Sequence, residues 1–79
     1  MQVTITLFGN LARYLPEGSE GRSAMLEVDA DATVGDVLDL VGLPTRERSY
    51  VTVNGDRATT ETTLGHGDEV RVIVPLGGG

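Results

Sequence analysis

Near the start of the chain, residues 2–8 read QVTITLF, in which polar and apolar side chains alternate. An alternation with a period of two residues is typical of a β-strand that buries one of its faces. The same alternation returns near the other end of the sequence, with Val70, Val72 and Val74. Because these two segments are the longest and most apolar strand candidates, we expect them to lie side by side and parallel at the centre of one sheet.

The best helix candidate lies between these two strands. Thr33 and Asp36 have the spacing of a capping box, in which side chains bond to the free backbone N–H groups of the first turn. The apolar residues that follow recur at the spacing of one helix face. They are Val34, Val37, Leu38 and Val41. Gly42 and Pro44 then predict the end of the helix.

Shorter segments complete the predicted sheet. Residues 23–28 alternate in polarity and are expected to form a strand antiparallel to the first one. Residues 51–53 favour a further strand, which the turn at Asn54-Gly55 connects to a brief return strand over residues 57–60. Residues 11–15 favour one or two helical turns, which Pro16 stops.

Together these elements predict an α+β domain, with a mixed sheet of four to five strands and one main helix across one face. The helix is expected to cover one side of the two central strands. The residues on that side are Val3, Ile5, Leu7, Val70, Val72 and Val74. Phe8 and Ile73 then come out on the opposite face, next to each other if the two terminal strands pair.

The composition excludes several classes of function. A chain of 79 residues makes one small domain, which buries about 60% of the surface that its unfolded chain exposes. It has no cysteine, so a disulfide framework, a thiolate metal site and a nucleophilic thiol are excluded. Its 12 acidic and 6 basic residues give a net charge of -6. This charge argues against a nucleic-acid partner, because such affinity depends on clustered Lys and Arg.

Neither a membrane span nor a signal peptide is predicted. No apolar run in the sequence is long enough to cross a bilayer. The first residues also lack the charged region and the apolar stretch of a signal peptide. We therefore expect no membrane association and a cytoplasmic location.

Few residues offer catalytic chemistry or metal binding. His66 is the one histidine of the sequence, and no Ser-His-Asp or Cys-His set can be assembled around it. We interpret it as a turn residue, since a metal site formed with Asp68 and Glu69 lacks further His or Cys ligands. Two acidic pairs, at residues 29/31 and 36/39, are interpreted as helix-capping or solvated carboxylates. No metal site is predicted.

The sequence ends in PLGGG, residues 75–79. Because glycine loses the most entropy on ordering, we predict a flexible tail over residues 75–79 after a folded domain of residues 1–74. Fully extended, the tail reaches about 15 Å, at about 3.3 to 3.6 Å per residue. A tail without Cβ atoms can enter a narrow cleft and deliver its carboxylate to the active site of another protein. The alternative is a frayed end without a function.

Five motifs together resemble the ubiquitin-like sulfur carriers of the MoaD/ThiS family. They are Val3-x-Ile5-x-Leu7-Phe8, Thr33-Val34-x-Asp36-Val37-Leu38, Val53-Asn54-Gly55, Leu64-x-x-Gly67-Asp68-Glu69-Val70 and Pro75-x-x-Gly78-Gly79. The resemblance covers essentially the whole chain and is greatest to the small subunit of molybdopterin synthase. It implies a β-grasp fold.

The resemblance also implies a chemistry for the end of the chain. Gly78 and Gly79 match the family's diglycine. An E1-like adenylyltransferase of the MoeB/ThiF type would adenylate the Gly79 carboxylate, and sulfur would then replace the adenylate to give a thiocarboxylate. The chain is expected to be a non-catalytic, sulfur-donating subunit or co-substrate of a sulfurtransferase such as molybdopterin synthase. It is expected to bind no cofactor, because ATP and magnesium are used by the activating partner.

The partners expected from the resemblance are proteins. In the family, the sheet face away from the helix contacts both the activating enzyme and the large subunit of molybdopterin synthase. The residues expected to contact a partner are Phe8, Ile73, Pro75, Leu76 and Gly77. Sulfur donation in molybdenum cofactor biosynthesis is therefore the leading expectation.

Three alternatives stay open at this point. The first is sulfur delivery in another pathway, such as thiamine thiazole formation, cysteine synthesis or tRNA thiolation. The second is a ubiquitin-like modifier that is conjugated through Gly79 to lysines of target proteins. The third is a β-grasp interaction module with an incidental tail.

Overall fold

The computed structural model describes residues 1–16, 19, 21–48 and 50–73. Five strands form one sheet in the order β2-β1-β5-β3-β4. The strands are β1 (Gln2–Leu7), β2 (Ser23–Glu27), β3 (Val51–Val53), β4 (Asp56–Ala58) and β5 (Glu69–Val72). One α-helix, α1 (Val34–Leu40), and two 3-10 helices, Gly9–Tyr14 and Thr45–Glu47, complete the described part of the chain.

The two terminal strands lie at the centre of the sheet, as the alternation predicted. β1 and β5 pair in parallel, with Ile5 beside Val70 and Leu7 beside Val72. β2 pairs antiparallel with β1, and β3 pairs antiparallel with both β5 and β4. This mixed five-stranded sheet with one main helix is the expected β-grasp arrangement.

Helix α1 begins at the predicted capping box. The Thr33 N–H donates to Asp36 Oδ2 at 2.9 Å, and the Asp36 N–H donates to Thr33 Oγ1 at 3.3 Å. The helix ends at Leu40, and Gly42 follows with a φ of +74°. Glycine adopts this left-handed conformation without a steric penalty, so the predicted helix end is confirmed.

The core fills the space between α1 and one face of the sheet. Val34, Val37 and Leu38 of the helix are fully buried. They belong to one cluster with buried residues of the central strands, which are Val3, Ile5, Leu7, Val70 and Val72. The predicted core is thereby confirmed, except that Val74 lies outside the described residues.

Two element boundaries differ from the sequence prediction. The helical turns expected over residues 11–15 form a 3-10 helix that already begins at Gly9, whose φ of +59° takes the chain out of β1. The return strand covers Asp56–Ala58 rather than residues 57–60. It stops there because a turn begins at Thr59, whose N–H donates to Thr62 Oγ1 at 3.1 Å.

In the described part of the chain, no helix is both long and apolar enough to cross a membrane.

Candidate functional site

Three apolar side chains form a row across the sheet face opposite α1. Val72 of β5 pairs with Leu7 on one side and with Val51 on the other. One position further along, the ladder continues, because the Phe8 N–H donates to the Val72 carbonyl at 3.2 Å and the Ile73 N–H donates to the Tyr50 carbonyl at 3.0 Å. Phe8, Ile73 and Tyr50 therefore lie side by side, and we call them the outer row.

The outer row is separate from the core. Phe8 follows Leu7 in extended conformation, so its side chain lies on the face opposite the buried Leu7 side chain. Neither Phe8 nor Ile73 belongs to the core cluster, and both are half-buried. Tyr50 is 38% exposed. The outer row is thus an apolar strip at the surface of the sheet.

Tyr50 is the member of this row that sequence reasoning missed. A signal was available, because Tyr50 directly precedes Val51, whose side chain is buried in the core. In a strand, neighbouring side chains point to opposite faces. Extending the alternation by one residue would have placed Tyr50 on the same face as Phe8 and Ile73.

A cation lies against the Tyr50 end of the outer row. The Arg57 guanidinium carbon is 4.1 Å from the centroid of the Tyr50 ring. Arg57 belongs to β4 and pairs with Thr52 of β3, so it approaches the ring from the neighbouring strand. This distance is within the range of a cation–π interaction.

Behind the outer row, the same face is polar. The hydroxyls of Thr6 and Ser23 are hydrogen-bonded at 2.8 Å. Arg71 forms an ion pair with Glu69 at 2.6 Å. Thr6 and Thr52 are only 8% and 9% exposed, so neighbouring side chains cover these threonines. The face therefore combines an apolar strip at one end with a hydrogen-bonded polar surface behind it.

The outer row includes the last residue that the structure describes, which is Ile73. Of the residues singled out from the sequence, the structure brings together Phe8 and Ile73. The others lie outside the described residues, and they are Pro75, Leu76, Gly77, Gly78 and Gly79.

The turn that contains His66 lies at the other end of β5. His66 Nδ1 accepts a hydrogen bond from the Gln2 N–H at 3.1 Å. The Asp68 carboxylate accepts hydrogen bonds from the Gly65 N–H at 2.7 Å and from Asn54 Nδ2 at 2.9 Å, which lower the pKa of Asp68. Within the described residues, no group of three or more His, Cys, Asp or Glu side chains is arranged to hold a metal ion.

The acidic pair of helix α1 is used within the fold. Asp36 caps the helix N-terminus. Asp39 pairs with Arg48 at 2.7 Å, and the Arg48 guanidinium also donates to the Leu43 carbonyl. Both contacts hold the helix ends to the neighbouring loops, so the interpretation of these carboxylates as structural groups is consistent with the contacts.

Solved structures with the same fold cover nearly the whole chain. The crystal structure of SAMP1 from Haloferax volcanii superposes with a TM-score of 0.76 at 34% identity, over 100% of both chains. That of the H. volcanii small archaeal modifier protein 1 has a TM-score of 0.75 at 30% identity, over 95% of this chain and 98% of the other.

A third similar structure has a description that refers to molybdopterin. It is a Pyrococcus furiosus protein provisionally described as molybdopterin converting factor, subunit 1, with a TM-score of 0.70 at 18% identity over 95% of this chain and 98% of the other. At this identity the similarity concerns the fold alone. No curated protein matches the chain significantly.

These matches confirm a ubiquitin-like β-grasp fold of the MoaD/ThiS type. They do not extend to the narrower expectation of a molybdopterin synthase subunit, which stays a prediction. The family model described as Mut7-C ubiquitin matches residues 1–75. The chain therefore belongs to the Mut7-C ubiquitin family.

Proposed function

We propose that this protein is a sulfur carrier whose Gly79 carboxylate is activated by an E1-like adenylyltransferase and converted to a thiocarboxylate. We further propose molybdopterin synthase as the enzyme that receives the sulfur, with this chain as its small subunit. The proposal for the acceptor is supported by the five sequence motifs. The similarity of the chain to SAMP1 and its β-grasp fold support the carrier function more generally.

The chemistry requires little from the carrier itself. A carboxylate is a poor electrophile, so its oxygen first attacks the α-phosphorus of ATP, and pyrophosphate leaves. A sulfur nucleophile then attacks the carbonyl carbon, and AMP leaves. With hydrosulfide the product is the thiocarboxylate itself, whereas with a partner persulfide a second partner thiol must cleave the resulting S–S bond. The activating partner supplies the nucleotide, the magnesium and the sulfur.

The observation that carries the proposal is the position of the outer row. Its apolar side chains lie on the sheet face opposite α1, and Ile73 of this row stands six residues before Gly79 in the sequence. A partner that docks on Phe8, Ile73 and Tyr50 therefore contacts the chain just before the residues that carry the carboxylate. Docking of this kind would bring the carboxylate to a distant active site without any catalytic residue in the carrier.

The test is the intact mass of the protein after incubation with the cognate activating enzyme, ATP, magnesium and a sulfide donor. We expect a gain equal to the exchange of one oxygen for one sulfur. A variant that lacks Gly79 serves as the matched control and should gain nothing. If the full-length chain forms neither the adenylate nor the thiocarboxylate, the carrier function is wrong.

A ubiquitin-like modifier is the second candidate function. It is favoured by one specific observation, namely that a relative with 30% identity is described as a small archaeal modifier protein. In that case Gly79 would be joined to lysine amines of target proteins. An epitope-tagged chain would then give conjugates of higher mass that survive reducing denaturation and are absent from the variant without Gly79.

A further inference from the structure

Arg57 adds a positive charge to the Tyr50 end of the outer row. Its guanidinium lies over the Tyr50 ring, with 4.1 Å between the guanidinium carbon and the ring centroid. We propose that the Arg57–Tyr50 pair determines the choice and orientation of the partner by binding a carboxylate group on the docking surface of the activating enzyme. This inference rests on the proposed function, because that function supplies the partner.

The geometry of the pair suits a carboxylate. A guanidinium that stacks on an aromatic ring uses its flat face, whereas its five N–H donors lie in its plane and can bond to both oxygens of a carboxylate. Stacking also restricts the rotamers of a long side chain, so less entropy is lost when a partner binds. Charge-assisted bonds of this kind are directional and select one orientation.

Charge complementarity favours a protein surface with an acidic group beside an apolar centre. The chain carries a net charge of -6, so most of its surface repels an acidic partner. A partner carboxylate is attracted only where this chain presents an arginine. If the partner docked in another orientation, its carboxylate would face the negative charges of this chain. The same net charge disfavours the phosphates of a nucleic acid.

The other arginine on this face has a different position. Arg71 bonds to Glu69, which lies two residues earlier on the same strand and therefore farther from the outer row. Its guanidinium is thus directed along the strand, away from Phe8, Ile73 and Tyr50. Arg57, in contrast, contacts a member of the outer row. The location of the two guanidinium groups singles out Arg57 as the cation of the docking surface.

The experiment compares two charge reversals, Arg57→Glu and Arg46→Glu. Each replaces one positive by one negative charge, so both lower the net charge of -6 by the same amount. Arg46 is exposed in the second 3-10 helix, Thr45–Glu47, and serves as the control. Affinity for the cognate activating enzyme is measured by calorimetry at low and at high salt, after thermal unfolding has verified that each variant is folded.

We expect Arg57→Glu to weaken binding at least about tenfold at low salt, and added salt to reduce that loss. Arg46→Glu should bind within about twofold of the unchanged protein if the effect depends on the Arg57–Tyr50 pair and not on net charge. Tyr50→Ala should weaken binding, and Tyr50→Phe, which keeps the ring under the guanidinium, should weaken it less. Reversal of the contacting partner carboxylate to arginine should restore the affinity of Arg57→Glu.

Two results would overturn the inference. One is equal weakening by both charge reversals, which would mean that only net charge matters, and the other is unchanged affinity of Arg57→Glu. Intact mass separates this failure from a failure of the proposed function. If the unchanged protein gains sulfur on Gly79 while Arg57→Glu binds equally well, only the inference is wrong. If the unchanged protein is neither bound nor adenylated, both are wrong.

Discussion

Asp68 connects three parts of the chain, two through its side chain and one through its backbone carbonyl. Its carboxylate accepts hydrogen bonds from the Gly65 N–H of its own turn and from Asn54 in the β3–β4 turn, while Asn54 Oδ1 accepts from the Glu69 N–H at 2.9 Å. In addition, the Asp68 carbonyl accepts from the Thr4 N–H at 3.0 Å. Both side-chain bonds favour the ionised carboxylate, first the one from Gly65 and then the one from Asn54, so they lower the pKa of Asp68.

Asp68→Asn should therefore destabilise the fold in a pH-dependent way. The folded pKa lies below the unfolded one, so the carboxylate stabilises the fold above the unfolded pKa, and this contribution is lost as the pH falls through the folded pKa. At pH 7 we expect a loss of about 1 kcal/mol or less, because solvent screens this site. Thermal unfolding at pH 7 and near pH 3 checks this.

The control for this prediction is Asp31→Asn, which removes the same charge from an exposed position. Any general relief of repulsion in an acidic chain affects both variants alike. A difference between the variants that persists unchanged at pH 3 would contradict the role of the ionised carboxylate.

A substitution of Phe8 distinguishes an effect on partner binding from an effect on the stability of the fold. Phe8→Asp should weaken binding to the cognate activating enzyme at least about tenfold, since a buried aromatic contact contributes strongly to affinity and a carboxylate cannot replace it. The melting temperature should fall only slightly, because Phe8 lies outside the core cluster. Phe8→Leu is the apolar control, and an unchanged affinity of Phe8→Asp in calorimetry would remove Phe8 from the docking surface.

At the scale of elements, hydrogen bonds with neighbouring loops hold helix α1 in place at both ends. At its N-terminus, the N–H groups of Val34 and Gly35 donate to the carbonyls of Thr62 and Thr60 at 2.9 and 2.8 Å. Beyond its C-terminus, Arg48 donates to the Leu43 carbonyl. A helix this short is marginal on its own, so these contacts and its buried face determine its stability.

Thr33→Ala tests the N-terminal contact. It removes the side-chain oxygen that accepts from the Asp36 N–H, so we expect a loss of about 1 kcal/mol in the free energy of unfolding. Chemical denaturation measures this loss. Thr45→Ala, at an exposed position in the second 3-10 helix, is the control and should change stability by less than about 0.5 kcal/mol. Equal losses in both variants would mean that the capping box contributes nothing specific.

The elements differ in how far the sequence could predict them. β1 and α1 follow from local signals, because an alternation and a capping box each lie within a few consecutive residues. The positions of Phe8 and Ile73 follow from the same alternation once the central strands pair. Tyr50 joins them only through the pairing of β3 with β5, and Arg57 reaches Tyr50 only through the pairing of β4 with β3. Alternation with Val51 indicates the face of Tyr50, but long-range register has no local signature, so the contacts of Tyr50 with Ile73 and Arg57 required the structure.

At the scale of the whole molecule, folding and the proposed chemistry lie in different parts of the chain. The core cluster runs from Val3 to Val72 within the described residues. A domain of this size has a free energy of unfolding of about 5–15 kcal/mol. Its stability therefore depends on a few large side chains, such as the fully buried Leu38.

This separation leads to a prediction about two variants. Deletion of residues 77–79 should leave the melting temperature unchanged within about 2 °C and should abolish any gain of sulfur, because it removes the proposed carboxylate and no residue of the core cluster.

Leu38→Ala should have the opposite effects, a lower stability and an unchanged gain of sulfur. It should cost about 2–5 kcal/mol, which lowers the melting temperature by roughly 10 °C or more at about 4–8 °C per kcal/mol. At a temperature where it is still folded, it should gain sulfur normally. If the deletion destabilised the domain as much as Leu38→Ala, the boundary between the folded domain and the tail after residue 74 would be wrong, and residues 77–79 would have to contribute to the fold.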